Sequence, residues 1–167
     1  MLSNHDVIRH ASRFGGDYGR ATASDGISAK DPQPNTELGL AKARGATLFT
    51  LALPGSMYLY QGEELGLPEH STLEDQYRQD PTFFRTEGKR VGRDGARVPL
   101  PWEANASASN GFSSNGAAWL PQPASYANYS RDKQTGVKGS TLEMYREALE
   151  LRKELSLGSG SFEWVKE

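Results

Sequence analysis

Three clusters in this chain hold residue types that could do chemistry. Asn4-His5-Asp6 sets a carboxylate beside an imidazole at the end of a short apolar lead-in. Such a pair can act as an acid/base element or stabilise a developing charge, and a turn or helix cap would use the same residues. Arg93-Asp94-Gly95-Ala96-Arg97 flanks one carboxylate with two guanidiniums and runs into Val98-Pro99-Leu100-Pro101-Trp102. Two arginines around an aspartate can build a fixed ion-pair array for gripping carboxylates or hydroxyls, and Trp102 offers an apolar face for a sugar. A surface salt-bridge cluster of little energetic value is the plainer reading. Gln61-Gly62-Glu63-Glu64 pairs two carboxylates, as a glycosidase does. Neighbours on an extended chain point to opposite sides, so the two cannot flank one bond. We expect a structural role there, with one glutamate buried and hydrogen-bonded and the other solvated.

The elements that must position these groups follow from periodicity. Val7, Ile8, Ala11 and Phe14 have helical spacing over residues 7–14, and residues 15–35 read as a loop rich in Gly, Ser, Asp and Pro. Asn35 or Thr36 can cap a helix whose Leu38, Ala41, Gly45, Leu48, Phe49 and Ala52 share one face, and Pro54-Gly55 stops it. Ser56 to Gln61 is an apolar, aromatic run of strand length, expected to be buried. Helix, tight turn and buried strand make half of an α/β repeat. Residues 61–140 then show little periodicity, and 103–118 are low in complexity. A stretch that long after a strand usually carries function in an α/β fold. Ser140 and Glu143 open a second helix, Thr141 to about Leu155, with Leu142, Tyr145, Ala148, Leu149 and Leu155 as its apolar stripe. Phe162-Glu163-Trp164-Val165 alternates like the first strand of a further domain.

Composition narrows the partners. The chain has 167 residues, 36% of them hydrophobic, with a net charge of -2, and no basic patch, so nucleic acid is not an expected partner. It has no Cys and only three His, which argues against disulfides and Cys- or His-rich metal sites and fits a cytoplasmic protein. The apolar stretch from Ala46 to Tyr60 is broken by Thr50, Pro54, Gly55 and Ser56 and is too short for a membrane span.

Together these segments resemble a known family. Leu2-Ser3-Asn4-His5-Asp6 with Arg9 and Ser12-Arg13-Phe14-Gly15 resembles the fourth conserved region of the α-amylase family, glycoside hydrolase family 13, in its α-glucosidase and oligo-1,6-glucosidase branch. Leu51 through Glu69 resembles that branch's segment around the eighth barrel strand, and Gly92 to Trp102 its arginine-containing loop. Trp119-Leu120-Pro121-Gln122-Pro123 and the helix from Tyr145 continue the match, so the resemblance spans essentially the whole chain.

The resemblance implies an α/β fold, the C-terminal part of a (β/α)8 TIM barrel comprising about strands 7–8 and their helices. Residues 1–156 would belong to the barrel and 157–167 would start a following β domain. It implies a retaining α-glucosidase acting on terminal α-linked glucose of oligosaccharides. Asp6 matches the third catalytic carboxylate, which grips sugar hydroxyls in subsite −1 and stabilises the oxocarbenium-like state. His5 matches the adjacent sugar-binding histidine. Arg93 matches the arginine that holds subsite −1, with Arg97 the second candidate.

The family's nucleophile and acid/base lie upstream of the region that Asn4 matches, and no segment here has the pattern of either. The chain alone is therefore expected to be inactive, and to be molten, to aggregate, or to depend on the missing N-terminal barrel portion as a partner. Val7-Ile8 stands where oligo-1,6-glucosidases commonly have Gln-Pro. A trehalose or sucrose isomerase type and a non-catalytic amylase-like binding remnant are the alternatives. No cofactor is implied here; calcium is a question for a full-length parent.

Overall fold

The computed structural model describes residues 1–17 and 25–165, and for Ala106 to Ala108 the backbone only. Part of the loop expected over 15–35 and the last two residues thus lie outside the described residues.

Five α-helices punctuate the described residues: α1 (His10–Arg13), α2 (Thr36–Ala52), α3 (Pro81–Arg85), α4 (Arg131–Gln134) and α5 (Thr141–Glu154). The helix read over 7–14 contracts to the single turn α1. In α2, the Asn35 side chain accepts from the Leu38 N–H at 2.9 Å and Glu37 sits in the first turn. Pro54 ends it by forcing the preceding Leu53 out of the helical region, to φ -78° and ψ 152°. In α5, Ser140 caps the Glu143 N–H at 3.2 Å. Glu143 itself reaches the Gly136 N–H and Arg146, both at 2.8 Å, instead of closing a box on Ser140. The far end of α2 is finished from a distance: the Arg152 guanidinium of α5 donates to the carbonyls of Leu51, Leu53 and Gly55.

The face of α2 that turns inward is not the apolar one. Gly39, Ala43, Thr47 and Leu51 are buried, whereas Leu38, Ala41, Gly45, Leu48, Phe49 and Ala52 are all exposed. Small residues let the backbones of α1 and α2 approach closely. A Cβ on Gly39 would sit 2.1 Å from the Ala11 carbonyl oxygen and 2.9 Å from the Gly15 Cα. Thr47 also hydrogen-bonds the Tyr145 hydroxyl at 2.9 Å, joining α2 to α5. Among the described residues, the apolar face of α2 has nothing to cover it.

The buried strand expected over Ser56–Gln61 lacks a partner among the described residues in the same way. Among the described residues no β-ladder forms, and Tyr58 and Leu59 are exposed. A strand needs a neighbour to take its backbone hydrogen bonds, and the described residues supply none. Phe162 to Val165 likewise forms no ladder and is exposed, Phe162 and Trp164 meeting edge-to-face at 4.7 Å. On the stripe of α5, Leu142 and Tyr145 are buried while Leu149 and Leu155 face out.

The aperiodic stretch 61–140 provides the hydrophobic core. Leu65, Leu67, Leu73, Val98, Leu120 and Tyr126 pack there with Leu142 of α5. Turns of 3₁₀ helix at Asp75–Tyr77, Asp94–Ala96, Ala106–Gly111 and Ala124–Tyr129 lie along it. Buried polar groups bind backbone in place of a ladder. The Gln134 amide donates to Leu65 and Tyr129 carbonyls at 3.0 and 2.9 Å and accepts from the Leu142 N–H. The Tyr126 hydroxyl donates to the Pro68 carbonyl at 2.7 Å. Among the described residues, no helix is long and apolar enough to cross a membrane.

Candidate functional site

Asn4, His5 and Asp6 lie at a turn anchored on both flanks. The Asn4 side chain accepts from the Asp6 N–H at 2.7 Å, folding the segment locally. Upstream, the Ser3 hydroxyl accepts from the His10 N–H at 2.9 Å and meets the His10 ring at 2.8 Å, and Arg13 donates to the Leu2 carbonyl at 2.6 Å. Downstream, the Arg9 N–H donates to the buried Glu69 carboxylate at 3.0 Å, while the Ser12 hydroxyl accepts from the Glu69 N–H at 2.8 Å. Gly95 closes on Glu69 from the other side, so that a Cβ there would come within 2.7 Å of its carboxylate. Glu69 thus joins α1 to the loop that carries Arg93 and Arg97.

That loop turns the two guanidiniums onto Asp6. Arg93 Nη1 donates to Asp6 Oδ1 at 2.7 Å, and Arg97 Nη2 donates to the same oxygen at 3.1 Å. Arg97 Nε also donates to the His5 carbonyl at 2.8 Å. The His5 ring lies 3.3 Å from the other Asp6 oxygen and is largely exposed. All four residues singled out in the sequence, His5, Asp6, Arg93 and Arg97, therefore meet. Trp102 is not with them; it lines a separate recess with Leu65, Leu100 and Arg131.

The partner of the arginines differs from the one their spacing suggests. Asp94, between them in sequence, faces away and accepts the Gln79 and Asp80 N–H groups at 2.8 and 2.9 Å. Asp80, fully buried, takes its place. It accepts from Arg93 Nε at 2.5 Å and from the Arg93 backbone N–H at 3.0 Å. Its local sequence, Asp80-Pro81, announces only the N-cap of α3, a role it also fills toward the Thr82 N–H at 2.8 Å. Glu69 carries no sequence signal beyond its charge.

The electrostatics follow the contacts. Loss of water pushes the Asp6 carboxyl up, but the Arg93 hydrogen bond and the charges of His5, Arg93 and Arg97 outweigh it and hold the group below the usual carboxylate range. For Asp80, burial again pushes up, and the Arg93 guanidinium with the Thr82 and Arg93 N–H groups holds it far below. Arg93 is raised in turn, first by its bond to Asp80. Both carboxylates are therefore ionised at neutral pH. Glu69 goes the other way: burial lifts it to about 7 despite the Arg9 N–H and charge.

The paired glutamates are structural, with their expected roles redistributed. Glu63 is buried, and neither carboxylate oxygen has a hydrogen-bond partner in range. The half-buried Glu64 is the bonded one, accepting from the Gly62 N–H at 2.8 Å. Among the described residues, no group of three or more His, Asp or Glu is arranged to hold a metal.

Comparison with known proteins places the chain in a family. Residues 1–160 match the family described as Alpha amylase, catalytic domain. The chain therefore belongs to the alpha-amylase family, where its relatives include alpha-glucosidases and oligo-1,6-glucosidases. It is 34% identical to a probable alpha-glucosidase of Rhizobium meliloti over 99% of the chain and 26% of that relative. It superposes on the alpha-glucosyl transfer enzyme XgtA with a TM-score of 0.71 at 35% identity, over 95% of this chain and 26% of that one. A second solved structure, an inactive MutB double mutant in complex with isomaltulose, gives a TM-score of 0.69 at 25% identity, covering 96% of this chain and 28% of that one. The chain thus spans about a quarter of the length of the relatives it matches, and the fold it shares with them is part of an alpha-amylase fold.

Proposed function

We propose that this chain forms the substrate-holding side of subsite −1 in a retaining α-glucosidase that releases terminal α-linked glucose from oligosaccharides. Asp6 grips hydroxyls of the glucose ring and opposes the positive charge that develops on it, His5 binds the same sugar, and Arg93 holds Asp6 ionised and aimed. One observation carries the reading: Arg93 Nη1 lies 2.7 Å from Asp6 Oδ1 while the His5 ring flanks the other oxygen at 3.3 Å. An ionised carboxylate fixed before the reaction needs no reorganisation as the oxocarbenium forms. Arg97, bonded to the same oxygen, supports it from the second side.

Double displacement also needs an attacking carboxylate and an acid for the leaving oxygen. The resemblance assigns those groups to a segment upstream of this chain's match, so the chain is inactive alone. Residues 1–156 are the C-terminal portion of the barrel, and 157–167 open a following β domain. The N-terminal portion of such a barrel would cover the exposed face of α2 and pair the segment after it.

The test exchanges this chain for the matching segment of the Rhizobium meliloti relative. Hydrolysis of p-nitrophenyl α-glucoside by the hybrid, with none by the chain alone, is the expected result. Turnover by the isolated chain at the rate of full-length relatives would refute the assignment. A second reading, transfer or isomerisation of the glucosyl group, is favoured by the likeness to XgtA, whose name denotes alpha-glucosyl transfer, and to the isomaltulose complex of MutB. Product analysis separates the two, since hydrolysis gives free glucose and transfer gives new glucosides. Binding of sugar by the hybrid without turnover would instead mark a non-catalytic remnant.

A further inference from the structure

Asp80 has no place in the roles above, yet it is the buried carboxylate that holds Arg93. Its Oδ2 accepts from the Arg93 backbone N–H at 3.0 Å and from Arg93 Nε at 2.5 Å, and its Oδ1 lies 3.4 Å from Arg93 Nη2. The relation is mutual. Asp94, next to Arg93, accepts the Gln79 and Asp80 N–H groups at 2.8 and 2.9 Å. Each segment therefore places a buried carboxylate on the backbone of the other. Gly92 permits the approach: it has φ +73°, and a Cβ there would fall 2.7 Å from the Asp80 carboxyl carbon.

An arginine has many rotamers, and most would miss Asp6. Asp80 binds the inner edge of the guanidinium through Nε and Nη2. That leaves Nη1 to reach Asp6 Oδ1 at 2.7 Å. We propose that Asp80 is the positioning residue for Arg93: locked to the Arg93–Asp94 turn by exchanged carboxylate bonds, it presets the guanidinium toward Asp6 before any sugar arrives. This rests on the reading of Asp6 and Arg93 given above. Asp80 itself touches no reacting atom.

The test follows solvent exchange of the Arg93 Nε–H by nuclear magnetic resonance in the full chain, without substrate, assigning the signal by its absence from Arg93→Lys. In the parent chain the proton is protected. Asp80→Asn, which keeps the shape and removes the charge, speeds its exchange by about tenfold or more, the scale of one charge-assisted hydrogen bond. Asp6→Asn leaves it protected, because Asp6 is reached through Nη1. Backbone amides of α5 stay protected in all variants. An unprotected Arg93 Nε–H in the parent chain overturns the proposal, as does equal protection in Asp80→Asn or the same loss in Asp6→Asn. Loss of α5 protection along with it also counts against the proposal, since Asp80 would then maintain the fold at large. An inactive hybrid would refute the glucosidase reading without altering these measurements.

Discussion

Asp6 and Arg93 stand 87 residues apart in sequence and meet at 2.7 Å. The contact depends on two supports that neither residue provides: the Glu69 bridge beneath the Asp6 turn and the Asp80 grip behind the guanidinium. Both supporting carboxylates are buried, where a hydrogen bond left unmade is costly.

In the hybrid enzyme, Asp6→Asn should lower kcat by several orders of magnitude, because it removes charge from the position opposing the developing cation. Arg93→Ala should also lower kcat, by less than Asp6→Asn, because Arg97 still bonds the Asp6 carboxylate. Steady-state kinetics on p-nitrophenyl α-glucoside give both, and unchanged constants in either variant reject that residue's role.

Glu69→Gln should change how stability depends on pH. The native carboxyl titrates at about 7 and the unfolded one near 4.5. Between those values the native state holds the extra proton, so this group's contribution falls as pH rises through the window and stays low above it. The variant keeps an acceptor for the Arg9 N–H without that penalty. We expect it to match the parent below pH 4.5 and to exceed it by roughly 1 to 3 kcal/mol at pH 8. Urea melts across the range check this. Other titrating groups are common to both proteins and cancel in the difference.

Two glycines of α2 should respond in opposite directions. A Cβ added at Gly45 would meet nothing within 4 Å, so Gly45→Ala should stabilise the chain by about 0.5 to 1 kcal/mol through helix propensity. Gly39→Ala puts a methyl 2.1 Å from the Ala11 carbonyl oxygen and should cost about 2 kcal/mol or more. Equal effects on the urea midpoint would contradict the α1–α2 packing.

The isolated chain should self-associate through the uncovered face of α2. Leu48 and Phe49 are 45% and 52% exposed there. Replacing both by Lys should shift sedimentation toward monomer without lowering the melting temperature. Association unaffected by the pair would point to another surface.

Much of the local structure is legible in the sequence. Asn35 and Ser140 announce α2 and α5 because a side-chain cap is a short-range bond. His5, Asp6, Arg93 and Arg97 stand out because their motifs are compact. Burial is harder to read. The spacing of Leu38, Leu48 and Phe49 suggests a core face, and nothing among the described residues covers it. The strand expected at Ser56–Gln61 forms no ladder among the described residues for the same reason, since pairing is a property of two segments. Asp80 is invisible as a partner of Arg93: its neighbourhood spells a helix cap, and no local pattern reports a bond to a residue 13 positions on.

The Arg152 guanidinium that completes the end of α2 has a bearing on biosynthesis. The carbonyls of Leu51, Leu53 and Gly55 emerge about a hundred residues before the side chain that satisfies them. Throughout that interval water must solvate them, so the α2 terminus stays frayed on the ribosome and is sealed only when α5 is delivered.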